Sequence, residues 1–263
     1  MEEKSKDIYK NNFTEYLLCL ALDIGEGMLK NGAEISRVED TIERICRAYG
    51  AEHVECFTII SMISTAIRMP SGEYSTQMRR VKSTATNLAT LESLNALSRE
   101  ICRDVPPLPE VERRIYEVKR RRPYPEWVRL CAMALAASAF CVFFGGGVRD
   151  ALITVLIGAI LYYIDSHTSP RMNGMVKILF SAFVASGIAT LSVHLGIGQN
   201  ENAINIGAIM LLVPGLAFST AMRDLLSGDL LAGSLKMIQA CLCALMIAFG
   251  YMAAVSLIGG VLV

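Results

Sequence analysis

The chain has 263 residues, 53% of them hydrophobic, a mean hydropathy of +0.42, and 25 basic against 25 acidic side chains. It is too apolar for an ordinary soluble domain and too charged for a bare bundle of membrane helices. The zero net charge provides no basic field for nucleic acid, so no such partner is expected.

The charges are unevenly divided: residues 1–122 carry 38 of the 50 Asp, Glu, Lys and Arg, and residues 123–263 carry 12. The expected architecture is an α+β cytoplasmic domain followed by an all-α polytopic membrane domain of five transmembrane helices. The boundaries are 1–105 for the first, 106–125 for a linker or amphipathic helix, and 126–263 for the second.

The first 27 residues mix charges, and the apolar stretch after Phe13 is interrupted by Asp23 and Glu26, so it does not read as a secretory signal. Phe13 to Lys30 has Leu17, Leu20, Ala21, Ile24 and Met28 at helical spacing, with a stop at Asn31-Gly32. A second helix carries Ile35, Val38, Ile42, Ile45 and Tyr49 and ends at Gly50; Ser36 and Glu39 fit a capping box at its start. "HVECFTII" and "STAIRM" read as strands, with "PSGE" turning into a third, "YSTQMRRV". Thr86 or Asn87 caps a helix to Arg103, and Glu110–Arg122 makes a charged helix.

Catalytic groupings in this region are weak. His53 and Cys56 are an odd number of residues apart on a strand and point to opposite faces, whereas a nucleophile and its base need hydrogen-bond reach. The other candidate grouping is the acids Asp23, Glu26 and Glu39 with Arg37, against which Arg37, Glu39 and Asp40 read as ordinary surface charges at a helix start. Eight cysteines show no C-x-x-C, so no disulfide, metal or cofactor is expected, and no residue is assigned a catalytic role.

The five expected spans are about 127–144, 150–164, 176–197, 202–222 and 230–263, each measured against the roughly 20 apolar residues that cross a bilayer. Lys119–Arg122, Arg129, Arg171, Lys177, Arg223 and Lys236 fall on one side of them, and the other side has Arg149 alone. The positive-inside rule then places the N-terminal domain in the cytoplasm and the C-terminus outside a cell (inner or plasma) membrane.

The stretch "MLLVPGLAFSTAMRDLLSGDLLAG" sets Pro214 and Gly215 inside an apolar run. Pro214 lacks an N–H and crowds the carbonyl four residues earlier, and Gly215 eases an unusual backbone angle. Carbonyls freed in this way are tolerated in a membrane only where they are buried in protein or line a watery cavity. Ser219, Thr220, Arg223, Asp224 and Asp229 follow, so Pro214 to Asp229 is the candidate gate or substrate segment; the other reading of "RDLLSGD" is a solvated turn. Asp165, His167 and Asn173 are secondary candidates.

"LLVPG", "RDLLSGDLLAG" and "NGAEISRVEDTIERI", with the span layout, resemble the threonine/serine exporter family, specifically its shorter YjjP-like members. The resemblance implies gradient-driven export of small polar metabolites, threonine and serine for the namesake. It also implies a second small membrane subunit that supplies the spans the short form lacks. No G-x-x-x-x-G-K-[ST] loop is present to hold nucleotide. A dicarboxylate exporter subunit, a membrane-anchored enzyme or sensor, a channel or scaffold subunit and a homo-oligomer stay open as alternatives.

Overall fold

The computed structural model describes residues 12–82, 86–120, 124–168 and 172–261. Arg121, Arg122 and Arg171, used in the topology argument, lie outside the described residues. The chain divides into two compact units, one of residues 1–122 with 216–237, the other of residues 123–215 with 238–263.

In the first unit α1 (Phe13–Lys30) starts on Asn12, whose side chain accepts from the Thr14 N–H at 3.0 Å. It is buried nearly all round, with Leu17, Leu18, Leu20, Leu22 and Ile24 fully enclosed, so it is the core rod rather than a surface helix. Gly25 allows α2 (Ile35–Ala48) to approach: a Cβ there would lie 2.5 Å from Ile42 Cδ1. The expected capping box does not form. Glu34 is the N-cap and makes no side-chain cap, while the Glu39 carboxylate accepts from the Thr58 N–H at 2.6 Å.

Strands β1 (His53–Ile59), β2 (Met62–Arg68) and β3 (Tyr74–Arg80) make an antiparallel meander with Val54 opposite Ile67 and Ile67 opposite Ser75. Asn87 caps α3 (Leu88–Asp104) by accepting from the Thr90 N–H at 3.1 Å. From α4 (Leu108–Arg120), the residues Leu108, Val111 and Ile115 join the same core as α1.

The second unit holds α5 (Glu126–Phe143), α6 (Val148–His167), α7 (Gly174–His194) and α8 (Glu201–Ile209). Its interior is built from small residues, including Ala134, Ala137, Ala185, Ala189, Ala203 and Ala208, which permit close backbone approach in the manner of membrane helices. A Cβ on Gly158 would lie 2.9 Å from the Ala134 Cα, and one on Gly207 would lie 2.8 Å from the Cys141 backbone N. The buried Asp150 carboxylate ties the start of α6 to the start of α8, accepting from the N–H groups of Gly147 (2.9 Å), Gln199 (2.7 Å) and Asn200 (3.3 Å).

The remaining helices are α9 (Gly215–Leu226) and α10 (Leu230–Val261). Among the described residues three helices, not the expected five, are long and apolar enough to cross a membrane: Glu126–Phe143, Gly174–His194 and Leu230–Ile258. In α6 the charges Asp150 and Asp165 leave an apolar stretch of 14 residues between them, short of the roughly 20 needed. The expected fourth span is broken into α8 and α9.

Candidate functional site

The break falls where the sequence places it. Helix α8 ends at Ile209, the Leu212 N–H turns back to the Ile209 carbonyl at 2.8 Å, and α9 begins at Gly215, directly after Pro214. The glycine does not act as expected: Gly215 is not among the positive-φ residues, and a Cβ there would meet nothing within 4 Å. Proline alone accounts for the interruption, by its missing N–H and its ring.

Beside the break, in the second unit, Asn205 is 4% exposed, and neither its amide nitrogen nor its oxygen has a hydrogen-bond partner among the described residues. It lines a cavity of about 210 Å³ with Asn202 and Tyr251 and with Ile209 and Met210 at the end of α8. A buried amide left without a partner costs about 1–3 kcal/mol, so this pair of unpartnered atoms beside a cavity calls for a physical reason. Sequence reasoning missed Asn205 because one Asn in "ENAINIGAIM" carries no spacing signal.

The charged segment has a different role from a solvated turn. In the first unit Asp224 is 1% exposed; its carboxylate accepts from Lys236 Nζ at 2.6 Å and, at 3.4 Å, from the Ile35 N–H at the start of α2. Lys236 also donates to the Ala33 carbonyl at 3.4 Å, and Arg223 is ion-paired with Glu34. Thus the negative charge that completes the N-terminus of α2 comes from residue 224, where the helix dipole favours it.

Gly228 turns the chain with φ of 95°, and Asp229, half-buried, donates its N–H to the Asp224 carbonyl at 2.9 Å. Burial, together with the negative charge of Asp229, pushes the Glu39 carboxyl above its ordinary range, against the lowering effect of the Thr58 N–H. Ser219 is exposed, and Thr220, half-buried, donates to the Ala217 carbonyl at 3.1 Å.

The secondary candidates serve local ends. Asp165 pairs with Lys177 at 2.5 Å, the His167 ring stacks on Tyr163 at 4.1 Å, and Asn173 caps α7 by accepting from the Met175 N–H at 3.0 Å. In the N-terminal region His53 is exposed and 3.1 Å from Glu55, while Cys56 on the other face accepts from the Thr65 hydroxyl at 3.1 Å. The two do not form a nucleophile–base pair. Asp23 is buried, 3.8 Å from Arg79 and 3.9 Å from Lys119.

Comparison with known proteins bears on what these arrangements serve. "Probable succinate transporter subunit YjjP" of Klebsiella aerogenes is 26% identical over 235 residues, covering 88% of this chain and 90% of its own. The protein of the same name from Escherichia coli is 25% identical, covering 91% of this chain and 94% of its own. "Probable threonine/serine exporter" of Mycobacterium tuberculosis is 24% identical over 83% of this chain but only 42% of its own. No solved structure matches. The family described as "Putative threonine/serine exporter" matches residues 19–258. Through that match, which runs along most of its length, the chain belongs to the threonine/serine exporter family of transporters.

Proposed function

We propose that the chain is one subunit of a secondary transporter that exports small polar metabolites, threonine and serine foremost, driven by an ion or proton gradient. The observation that carries this reading is the unpartnered, buried Asn205 amide beside the helix break at Pro214. A neutral site of two amides and a phenol suits a zwitterion, which presents donors and acceptors but no net charge. The runner-up cargo, a dicarboxylate, is favoured by the name of the YjjP relatives. It is disfavoured by the engagement of Arg223 with Glu34, since that arginine was the cation nearest the break in sequence. The "RDLLSGD" segment acts as a gate element through Asp224, and Asp229 shares that role.

A second small membrane subunit supplies the rest of the transporter. Support comes from the word "subunit" in the YjjP names and from the exporter of M. tuberculosis, of which the aligned region is 42%. In cells lacking the gene and preloaded with threonine, serine or dicarboxylates, efflux against a gradient is expected to return only when this chain and its companion are both supplied. Uphill efflux from vesicles holding this chain alone would remove the companion from the account. Efflux that survives collapse of the ion gradients would remove the coupling.

The N-terminal unit faces the cytoplasm and the C-terminus lies outside. Lys119 and Arg120 before α5 support this arrangement, as does Lys177 early in α7, with α6 taken as a short return crossing and α8 with α9 as the fourth of five. An impermeant thiol reagent applied from outside is expected to label a cysteine introduced at Gln199 and to spare one at Ser5. Labelling at Ser5 would reverse the orientation.

A further inference from the structure

Between α2 and α3, in the first unit, runs a groove of about 430 Å³ whose walls carry Arg37 and Arg44 from one helix and Arg99 and Arg103 from the other. Thr41 and Ser98, both buried, form its floor. Surface arginines on helices normally find an acid three or four residues away. Here the pattern denies one to two of the four. The acid three residues before Arg37 is Glu34, which is held by Arg223, and the acid three residues after it is Asp40, which pairs with Arg44 at 2.8 Å.

Arg99 has Asn95 four residues before it and Arg103 four residues after, a like-charge spacing that destabilises a helix. The neighbouring acids are turned to other cations: Glu43 to Arg47 at 2.8 Å, Glu100 to Arg114 at 3.4 Å and Asp104 to Arg103 at 2.8 Å. Among the described residues Arg37 and Arg99 make no ion pair. Two of the four guanidinium groups lining the groove are therefore without an ion pair among the described residues, and Asp40, its sole acid, is already paired.

We propose that this groove is a binding site for a small dianion, a dicarboxylate or a phosphate, gripped by Arg37 and Arg99 from its two walls. Guanidinium groups bind carboxylate and phosphate oxygens in bidentate pairs, and Thr41 supplies a hydroxyl at the floor, while the Ser98 hydroxyl donates to the Asn95 carbonyl at 2.9 Å. The site is separate from the Asn205 cavity, and its ligand is an effector rather than cargo. Because Glu34 holds Arg223 three residues from Arg37, a ligand on Arg37 acts next to the contact that anchors α9.

The test is calorimetric titration of the purified full chain in detergent with malonate and, separately, with inorganic phosphate. Saturable binding of at least one of them is expected, weakened by added salt as exposed ion pairs are. Arg37→Ala combined with Arg99→Ala is expected to weaken it about tenfold or more, while Arg37→Lys, which keeps the charge but loses the fork, gives an intermediate loss. Asn205→Ala is expected to leave this binding unchanged. No saturable binding of either anion overturns the proposal, as does binding indifferent to the arginine pair. Binding lost in Asn205→Ala alone assigns the anion to the membrane cavity and likewise overturns the groove, whereas failure of the efflux experiment leaves the titration unaffected.

Discussion

Replacing Lys236 with Met is expected to destabilise the first unit by about 3–5 kcal/mol, the range for stripping one partner from a buried ion pair. The Asp224 carboxylate would keep only the long contact from the Ile35 N–H at 3.4 Å, in a position 1% exposed. A loss on this scale should show as a lower unfolding temperature of the purified protein and lower membrane abundance. Adding Asp224→Leu to Lys236→Met removes both charges together, and exchanges of that kind are often neutral or stabilising. Stability should return in the double variant. Export should not return if Asp224 works the gate by its charge; recovery of export along with stability would make the pair a clamp and nothing more. Asp229→Asn, at a half-buried position beside Glu39, should alter the pH dependence of export while leaving abundance near normal, because an amide cannot ionise.

Pro214→Ala carries the second large effect. Alanine is favoured over proline in a helix interior by about 3 kcal/mol, which corresponds to roughly a hundredfold shift toward one continuous helix joining α8 and α9. Export of threonine and serine should collapse while the protein stays in the membrane. Asn205→Leu approaches the same site without touching the backbone: it removes the unpartnered amide, so it should maintain or raise stability and still abolish export. Normal export in both variants at normal abundance would reduce "VPG" to a kink and the cavity to a packing fault.

What could be read from the sequence was local. The apolar spacing from Leu17 to Met28 sets α1, and Pro214 sets the break, because both act through neighbours three or four residues away. What escaped was long-range. The capping box at Ser36 and Glu39 is a sound local pattern, yet Asp224, 189 residues further along the chain, takes the Ile35 N–H instead. Composition marks Asp224 as a charge, but only the fold shows it buried against Lys236. Hydropathy gives five spans where three helices among the described residues are long and apolar enough to cross, because the end charges of α6 leave 14 apolar residues and Pro214 divides the fourth stretch. Asn205 is one polar letter among apolar ones, and nothing in its surroundings distinguishes an amide that meets a partner from one that does not.

The first unit completes its interior with Ala232 and its α2 terminus with Asp224, both supplied after the 93 residues 123–215 have been made. At about 5–20 residues per second, the N-terminal 122 residues wait roughly 5–20 s on the ribosome before their last pieces are synthesised. During that interval the α2 terminus lacks its acid and the core lacks Ala232, so the nascent chain has an incomplete domain. Folding of the first unit is therefore completed only after residues 123–215 have been made, and chaperone demand should peak before residue 237 is added.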